Sequence, residues 1–413
     1  MHKVNVMVVY SYFIPTGGVE KHILELSKEL ASHCHKVIIV SLRIDEVLIK
    51  TLPPKGLSEP LDEKFIEKPL KGVIIMRINL PRFLVPMKFT KNSKLNILAI
   101  SKLFGNYICK LINRFDIHII YACEPIAILA TYFALKELKE RRNRCNDTPR
   151  TVASVHTSWA FKCSLYGKIM SRILTYLDKV IVTNINVCTY ERLKSLANNV
   201  IFIPNWVDTE RFRPRQQIKL RKRRELGIPE DSIVLLYNAR FVPVKNPLST
   251  LIAFYVLNKK MPSLNMSLLM IGKGHLRPLI ERIVLKLNLV DKVRIMDPLP
   301  YNEEYPQIYN LADLFVFTPF HEGVSIVVLE ALSSGLPVVY SKMPGIPKDL
   351  RKALILADPH NPRDIANKIE KVIKEAAEQP NYIDGKMPYY RKIALKYSAQ
   401  EILPKLYKEI IKD

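Results

Sequence analysis

Short apolar runs rich in β-branched residues recur along the chain, and most are separated by stretches with helical spacing. Val4–Tyr10 is the first run. Val19–His33 follows, with Ile23, Leu24, Leu26, Leu30 and Ala31 on one helical face. Strands are then expected at Val37–Leu42, Val73–Ile78, Ile117–Ala122, Val152–His156, Lys179–Thr183 and Val200–Ile203, with a helix over Lys94–Phe115. A second series predicts strands at Ile233–Tyr237, Met266–Ile271, Val293–Met296, Leu314–Phe317, Pro337–Tyr340 and Ala353–Leu356. Helices are expected between them, including Pro247–Lys259, Leu276–Leu287 and Asp364–Ala377. Strands that are apolar throughout, alternating with amphipathic helices, predict parallel sheets covered on both faces.

Between the two series lies Pro204-Asn205-Trp206-Val207-Asp208 and then a basic, polar stretch to Asp231. This is the best candidate for an interdomain linker. The length of 413 residues also exceeds one ordinary core. The expectation is an α/β chain of two Rossmann-like, doubly wound domains facing a cleft: residues 1–204, with a C-terminal helix at 397–413 returning to them, and residues 205–396. In such sheets ligands bind beyond the carboxyl ends of the strands.

The formal charge of +24 fits nucleic acid, an anionic membrane surface or phosphorylated substrates. It can equally be a solubility trait. The basic residues cluster at Arg211, Arg213, Arg215, Lys219 and Arg221 to Arg224, and again at Lys139, Arg141, Arg142 and Arg144. No nucleic-acid module is visible and Phe212 is the one aromatic among these charges, which argues against nucleic acid. The six cysteines, Cys34, Cys109, Cys123, Cys145, Cys163 and Cys188, show no CxxC pair or zinc spacing. Reduced thiols and a cytoplasmic location are expected. The longest apolar stretch, Ile117 to Leu135, is broken by His118, Glu124 and Pro125, so it reads as a strand and helix rather than a membrane span.

Three strand-to-helix loops carry candidate chemistry. Gly17-Gly18 follows the first strand, where small residues and a helix start suit a phosphate, or form only a turn. Arg240 and Lys245 flank a proline-containing loop. An arginine grips two oxygens and a lysine adds a point charge, which suits a diphosphate; both can also be solvated loop charges. The third loop and its helix run from Phe320 to Leu332. Glu322 precedes a helix expected from about Ser325 to Ser334, with Gly335 as its C-cap. Glu330 lies inside that helix among apolar neighbours, where a carboxylate needs partners. Ribose hydroxyls or groups on another helix both qualify. The amides of Gly323, Val324 and Ser325 suit sugar hydroxyls or phosphate. His156, at a strand end, is a further candidate.

The two glutamates at Glu322 and Glu330, with Gly323, Ala331-Leu332 and Gly335-Leu336-Pro337, resemble the E-x7-E signature of retaining glycosyltransferases of family 4. Arg240 and Lys245 resemble that family's diphosphate-binding pair. Ile203 to Asp208 resembles the segment opening its C-terminal domain, and Gly272-Lys273-Gly274 is similar to its Gly-x-Gly turn. Gly17-Gly18 and His156 match its donor-facing N-terminal positions. Three departures stand out: Trp206 where glycine is usual, Lys273 where an acid is common, and Pro347-Lys348 where glutamate is usual.

The resemblance implies a GT-B fold and transfer of a hexose from a UDP- or GDP-linked sugar to a glycan or lipid-linked acceptor. Arg240 and Lys245 would hold the diphosphate, and Glu330 the ribose. Glu322 and the amides of Gly323 to Ser325 would bind the donor sugar, with Gly272 nearby. Gly17 and Gly18 would touch phosphate, and His156 would lie near the reacting carbon. No Asp-x-Asp occurs, so neither a metal nor a cofactor is expected. The basic and apolar segment Leu80 to Phe89, with Lys91 and Lys94, suits peripheral contact with an anionic membrane. A non-catalytic nucleotide-sugar-binding protein is the alternative, and a basic nucleic-acid-binding protein a weaker one.

Overall fold

The computed structural model describes residues 4–12, 18–33, 36–43, 66–79, 93–141, 148–156, 165–183, 187–196, 199–300, 302–378 and 382–412. It divides into two compact units, Met1–Ile203 with Leu403–Asp413, and Pro204–Ile402.

The first unit contains β1 (Asn5–Tyr12), α1 (Gly18–Ser32), β2 (Lys36–Arg43), β3 (Ile66–Leu70), β4 (Val73–Asn79), α2 (Ser93–Arg114), β5 (Ile119–Cys123) and α3 (Pro125–Arg141). It continues through β6 (Arg150–Val155), α4 (Leu165–Leu174), β7 (Lys179–Val182), α5 (Val187–Leu196) and β8 (Val200–Phe202). Its sheet runs β3-β4-β2-β1-β5-β6-β7-β8. All the pairings are parallel except β3 with β4. β1 is apolar at every position from Val6 to Val9 and those side chains are fully buried, as a strand covered on both faces requires. Cys109 and Cys123 are free, buried thiols. Cys34, Cys145 and Cys163 lie outside the described residues, as does the Cys188 side chain.

The second unit contains α6 (Gln216–Glu225), β9 (Ile233–Asn238), α7 (Pro247–Lys260), β10 (Met266–Ile271), α8 (Arg277–Lys286), β11 (Val293–Met296) and α9 (Gln307–Asn310). It goes on with β12 (Leu314–Phe317), α10 (Ile326–Ser333), β13 (Val338–Ser341), α11 (Lys348–Ala353), β14 (Leu354–Ala357), α12 (Pro362–Glu378) and α13 (Tyr382–Leu395). Its sheet is parallel throughout, in the order β11-β10-β9-β12-β13-β14. Gly335 ends α10 with φ of +82°, a conformation open to glycine at little cost.

The last helix, α14 (Ala399–Ile411), starts in the second unit and finishes in the first. There Glu409 accepts from Lys179 at 2.6 Å, its carbonyl accepts from Arg150 at 3.4 Å, and Tyr407 stacks on His33 at 4.2 Å.

The basic stretch expected to be a linker is instead a folded part of the second unit. Arg223 is 3% exposed. Its guanidinium donates to the carbonyls of Leu311 (3.0 Å), Glu230 (2.8 Å) and Ser232 (2.9 Å), and to Asp313 at 2.6 Å. Lys219 also pairs with Asp313, Lys222 with Glu225, and Arg224 with Glu230. Much of this cluster's charge is therefore answered inside the unit, so the stretch is not a free basic tract. Among the described residues no helix is long and apolar enough to cross a membrane. The segment Leu80 to Phe89 and Lys91 lie outside the described residues.

Candidate functional site

In the second sheet the strand order reverses direction between β9 and β12, which opens a crevice beyond their carboxyl ends. Two loops meet there. The loop after β9 carries Arg240 and Lys245, and its shape is set by named contacts. The Tyr237 hydroxyl donates to the Lys245 carbonyl at 3.1 Å. Asn246 has φ of 55° and donates from its amide to the carbonyls of Thr318 (2.9 Å) and Pro359 (2.8 Å). Pro247 then opens α7, where its missing N–H costs nothing.

The loop after β12 is tied to the first. The Phe320 amide donates to the Val244 carbonyl at 3.0 Å. Lys245 Nζ pairs with Glu322 Oε2, both side chains being about one-fifth exposed. The same ammonium lies 5.7 Å from the Phe317 ring centroid. Arg240, by contrast, is exposed.

Glu322 leads into the start of α10. The Tyr340 hydroxyl donates to the Gly323 carbonyl at 3.1 Å, and the Asn205 amide donates to the Val324 carbonyl at 2.6 Å. Ser325 is the N-cap residue and makes no side-chain capping bond. The first amides of a helix have no partner within it and carry its partial positive charge. Burial, and then the nearby Glu322 carboxylate, pushes the Tyr237 and Tyr340 hydroxyls well above their ordinary range.

Glu330 is 1% exposed. Its Oε2 accepts from the hydroxyls of Tyr305 (3.1 Å) and Tyr309 (2.5 Å). The Asn238 amide at the end of β9 donates to both tyrosine oxygens at 3.0 Å. Phe212 packs edge-on against both rings. Burial, followed by the Glu330 charge, pushes both tyrosines well above their usual range. They therefore stay protonated and keep donating, which offsets the cost of a buried carboxylate. Tyr305, Tyr309 and Asn238 escaped the sequence reading. The available signal was the four-residue spacing of two tyrosines ahead of a glutamate in an apolar helix.

Gly272 follows β10 and packs on the Arg240 loop. A Cβ there would meet the Ala239 carbonyl oxygen at 2.1 Å, and one at Gly274 would meet the Phe241 carbonyl oxygen at 2.3 Å. The Phe241 amide donates to the Lys273 carbonyl at 3.0 Å. The second unit thus brings Arg240, Lys245, Gly272, Glu322, Gly323, Val324 and Ser325 to one end of its sheet, with Glu330 behind them in α10.

The remaining candidates belong to the first unit. Gly17 lies outside the described residues, and Gly18 is the first residue of α1. His156 follows β6, with its Nε2 2.9 Å from Ser154 Oγ and its Nδ1 3.1 Å from Thr183 Oγ1. The Thr183 hydroxyl also donates to the Val155 carbonyl at 3.2 Å. Two hydroxyls therefore fix the imidazole orientation. This unit's own direction reversal lies between β1 and β5. There the Tyr10 hydroxyl donates to Glu20 at 3.3 Å, and Glu124 has φ of 72°. Burial first, then Glu20 and Glu124, drives the Tyr10 hydroxyl far above its ordinary range. Among the described residues no group of His, Cys, Asp or Glu side chains is placed to hold a metal ion.

Comparison with known proteins bears on the family and the fold. Residues 16–211 match the family model Glycosyltransferase Family 4, and residues 218–386 match Glycosyl transferases group 1. D-inositol 3-phosphate glycosyltransferase of Thermobispora bispora is 31% identical over 173 residues, covering 40% of each chain. The same enzyme of Corynebacterium jeikeium is 31% identical over 219 residues, covering 50% of this chain and 51% of the relative. The chain thus spans about half the length, or less, of these curated relatives. Among solved structures, a sucrose-phosphate synthase from Thermosynechococcus elongatus superposes with a TM-score of 0.75 at 18% identity over 98% of both chains. A glycosyltransferase from Rickettsia africae gives 0.69 at 18% identity over 100% of both. Anabaena HepE in complex with UDP-glucose gives 0.71 at 14% identity over 98% of both. With two family models following one another along most of its length and this fold, the chain belongs to the family 4 type of glycosyltransferases and has the GT-B architecture.

Proposed function

We propose that the chain transfers a hexose, with retention of anomeric configuration, from a UDP- or GDP-linked sugar to a glycan or lipid-linked acceptor. The observation that carries this reading is the Lys245–Glu322 pair at the sheet's direction reversal, with Arg240 on the same loop and the open helix start behind it. Departure of a nucleoside diphosphate builds negative charge on the leaving oxygen. Fixed cations and amide dipoles are the principal means of stabilising such charge.

In this reading Arg240 and Lys245 hold the diphosphate. The amides of Gly323, Val324 and Ser325 face the donor, and Glu322 accepts from sugar hydroxyls. Gly272 lets the two phosphate-side loops approach each other. Glu330, with its tyrosines, receives the ribose. The first unit is the acceptor side, where Gly17 and Gly18 touch phosphate and His156 presents a fixed ring to the reacting carbon. Two protein cations do the work that a metal does elsewhere, and no cofactor takes part. The UDP-glucose bound by the Anabaena structure of the same fold supports a nucleotide-sugar donor.

The test is a thermal-shift panel of nucleotide sugars, since a ligand of the folded state raises the melting temperature. One UDP- or GDP-linked hexose is expected to stabilise the protein, and the same donor to be slowly hydrolysed. A protein that no nucleotide sugar stabilises rules the reading out.

Peripheral contact with an anionic membrane is part of the proposal, supported by the +24 charge. Flotation with phosphatidylserine-containing vesicles is expected to carry the protein upward at low salt and to release it at high salt. Equal recovery with neutral and anionic vesicles would refute it.

A further inference from the structure

We propose that Lys273 is a diphosphate-binding residue and that, with Arg240, it forms the cation pair that receives the donor. This rests on the nucleotide-sugar reading above.

The argument is one of charge and position. Lys245 is already answered, because its ammonium is paired with Glu322 and the two charges cancel. Arg240 and Lys273 are exposed, and neither makes a side-chain hydrogen bond or ion pair among the described residues. They are two uncompensated cations on adjacent loops. Ile271 at the end of β10 lies in register with Asn238 at the end of β9, so both loops leave the same edge of the sheet.

The loops are also held together. The Phe241 amide donates to the Lys273 carbonyl, and the Leu276 amide donates to the Phe241 carbonyl at 3.1 Å. The absence of side chains at Gly272 and Gly274 is what permits this approach, since a Cβ at either meets backbone oxygen. The backbone of Lys273 is therefore fixed beside that of Arg240, while its side chain remains free to reach a ligand.

A nucleotide sugar carries one negative charge on each of its two phosphates. Two free cations match that charge without breaking the Lys245–Glu322 pair. When the bond to the sugar breaks, the diphosphate gains a further negative charge on its terminal oxygen. The Lys245 ammonium, on the same loop as Arg240, answers it. Lys273 thus adds a ground-state contact to the diphosphate, while Arg240 and Lys245 also answer the charge that grows in the transition state.

The experiment is calorimetric titration of the full chain with UDP and GDP, together with NMR titration with uridine and guanosine. Lys273→Ala is expected to weaken binding of the preferred diphosphate by about tenfold, the loss typical of one charge-assisted contact. Binding of the matching nucleoside is expected to stay at the wild-type level, and Lys273→Arg to restore the diphosphate affinity. Two results would overturn the assignment while leaving the donor reading intact: a Lys273→Ala protein that binds the diphosphate as wild type does, or one that loses nucleoside and diphosphate affinity alike. A wild-type protein that binds neither UDP nor GDP would instead overturn the donor reading and this assignment with it.

Discussion

Arg240→Ala is expected to lower the rate of nucleotide-sugar hydrolysis by about a hundredfold or more, while the protein stays folded. Arg240 is exposed and makes no side-chain bond within its unit, so its removal breaks nothing that holds the loop. The loop's shape depends instead on Tyr237, Asn246 and the Phe241–Lys273 backbone bond. What is lost is a planar, two-pronged donor aimed at the place where charge develops. Deleting one such preorganised donor in other enzymes costs about 10²–10³ in kcat. Arg240→Lys is expected to recover only part, because an ammonium cannot grip two oxygens at once. The check is steady-state release of the nucleoside diphosphate, read beside the melting temperature of each variant. An Arg240→Ala protein that is as active as wild type would remove Arg240 from the proposed mechanism.

Arg223→Ala is expected to destabilise the second unit by about 3–5 kcal/mol, the combined cost of three carbonyls losing a charged donor and of a weakened ion pair at Asp313. Arg223 is almost fully buried and donates to three carbonyls as well as to Asp313. Its loss leaves those oxygens without a donor. Asp313 keeps Lys219 and the Val234 amide, so it is not wholly abandoned. A double-mutant cycle of Arg223→Ala with Asp313→Ala separates the pair from the carbonyl contacts. Denaturant unfolding followed by tryptophan fluorescence measures it, and an Arg223→Ala midpoint equal to wild type would show that the network contributes nothing. Neighbouring Arg221→Ala, whose side chain is 59% exposed in its pair with Glu225, is expected to change stability little.

The parallel strands were legible in sequence because a strand covered on both faces is apolar at every position. Leu314–Phe317, apolar and buried throughout, falls where the pattern put it, and so do Met266–Ile271 and Val293–Met296 despite Ser267 and the exposed Arg294. β3 was not legible: Ile66-Glu67-Lys68-Pro69-Leu70 is polar and contains a proline, as an edge strand permits. α6 was misread as a linker because its buried anchor is an arginine, and a hydrophobic periodicity cannot register a buried cation. The site divides in the same way. Glu322, Lys245 and Arg240 sit on short loops next to well-marked strands, so their meeting place could be inferred. The tyrosines that stabilise Glu330 come from a separate loop and short helix, a pairing across sequence that no local spacing encodes.

The return of the last helix to the first unit has a consequence for biosynthesis. Glu409 answers Lys179, yet 230 residues separate them along the chain. A ribosome makes β7 long before it makes that carboxylate. The first unit must therefore wait, with its sheet formed and one wall unfinished, until the whole second unit has emerged. Translation order and folding order are thus interleaved: the domain begun first is completed last, and a nascent chain stalled before Tyr407 is expected to expose His33 and Lys179 to chaperones.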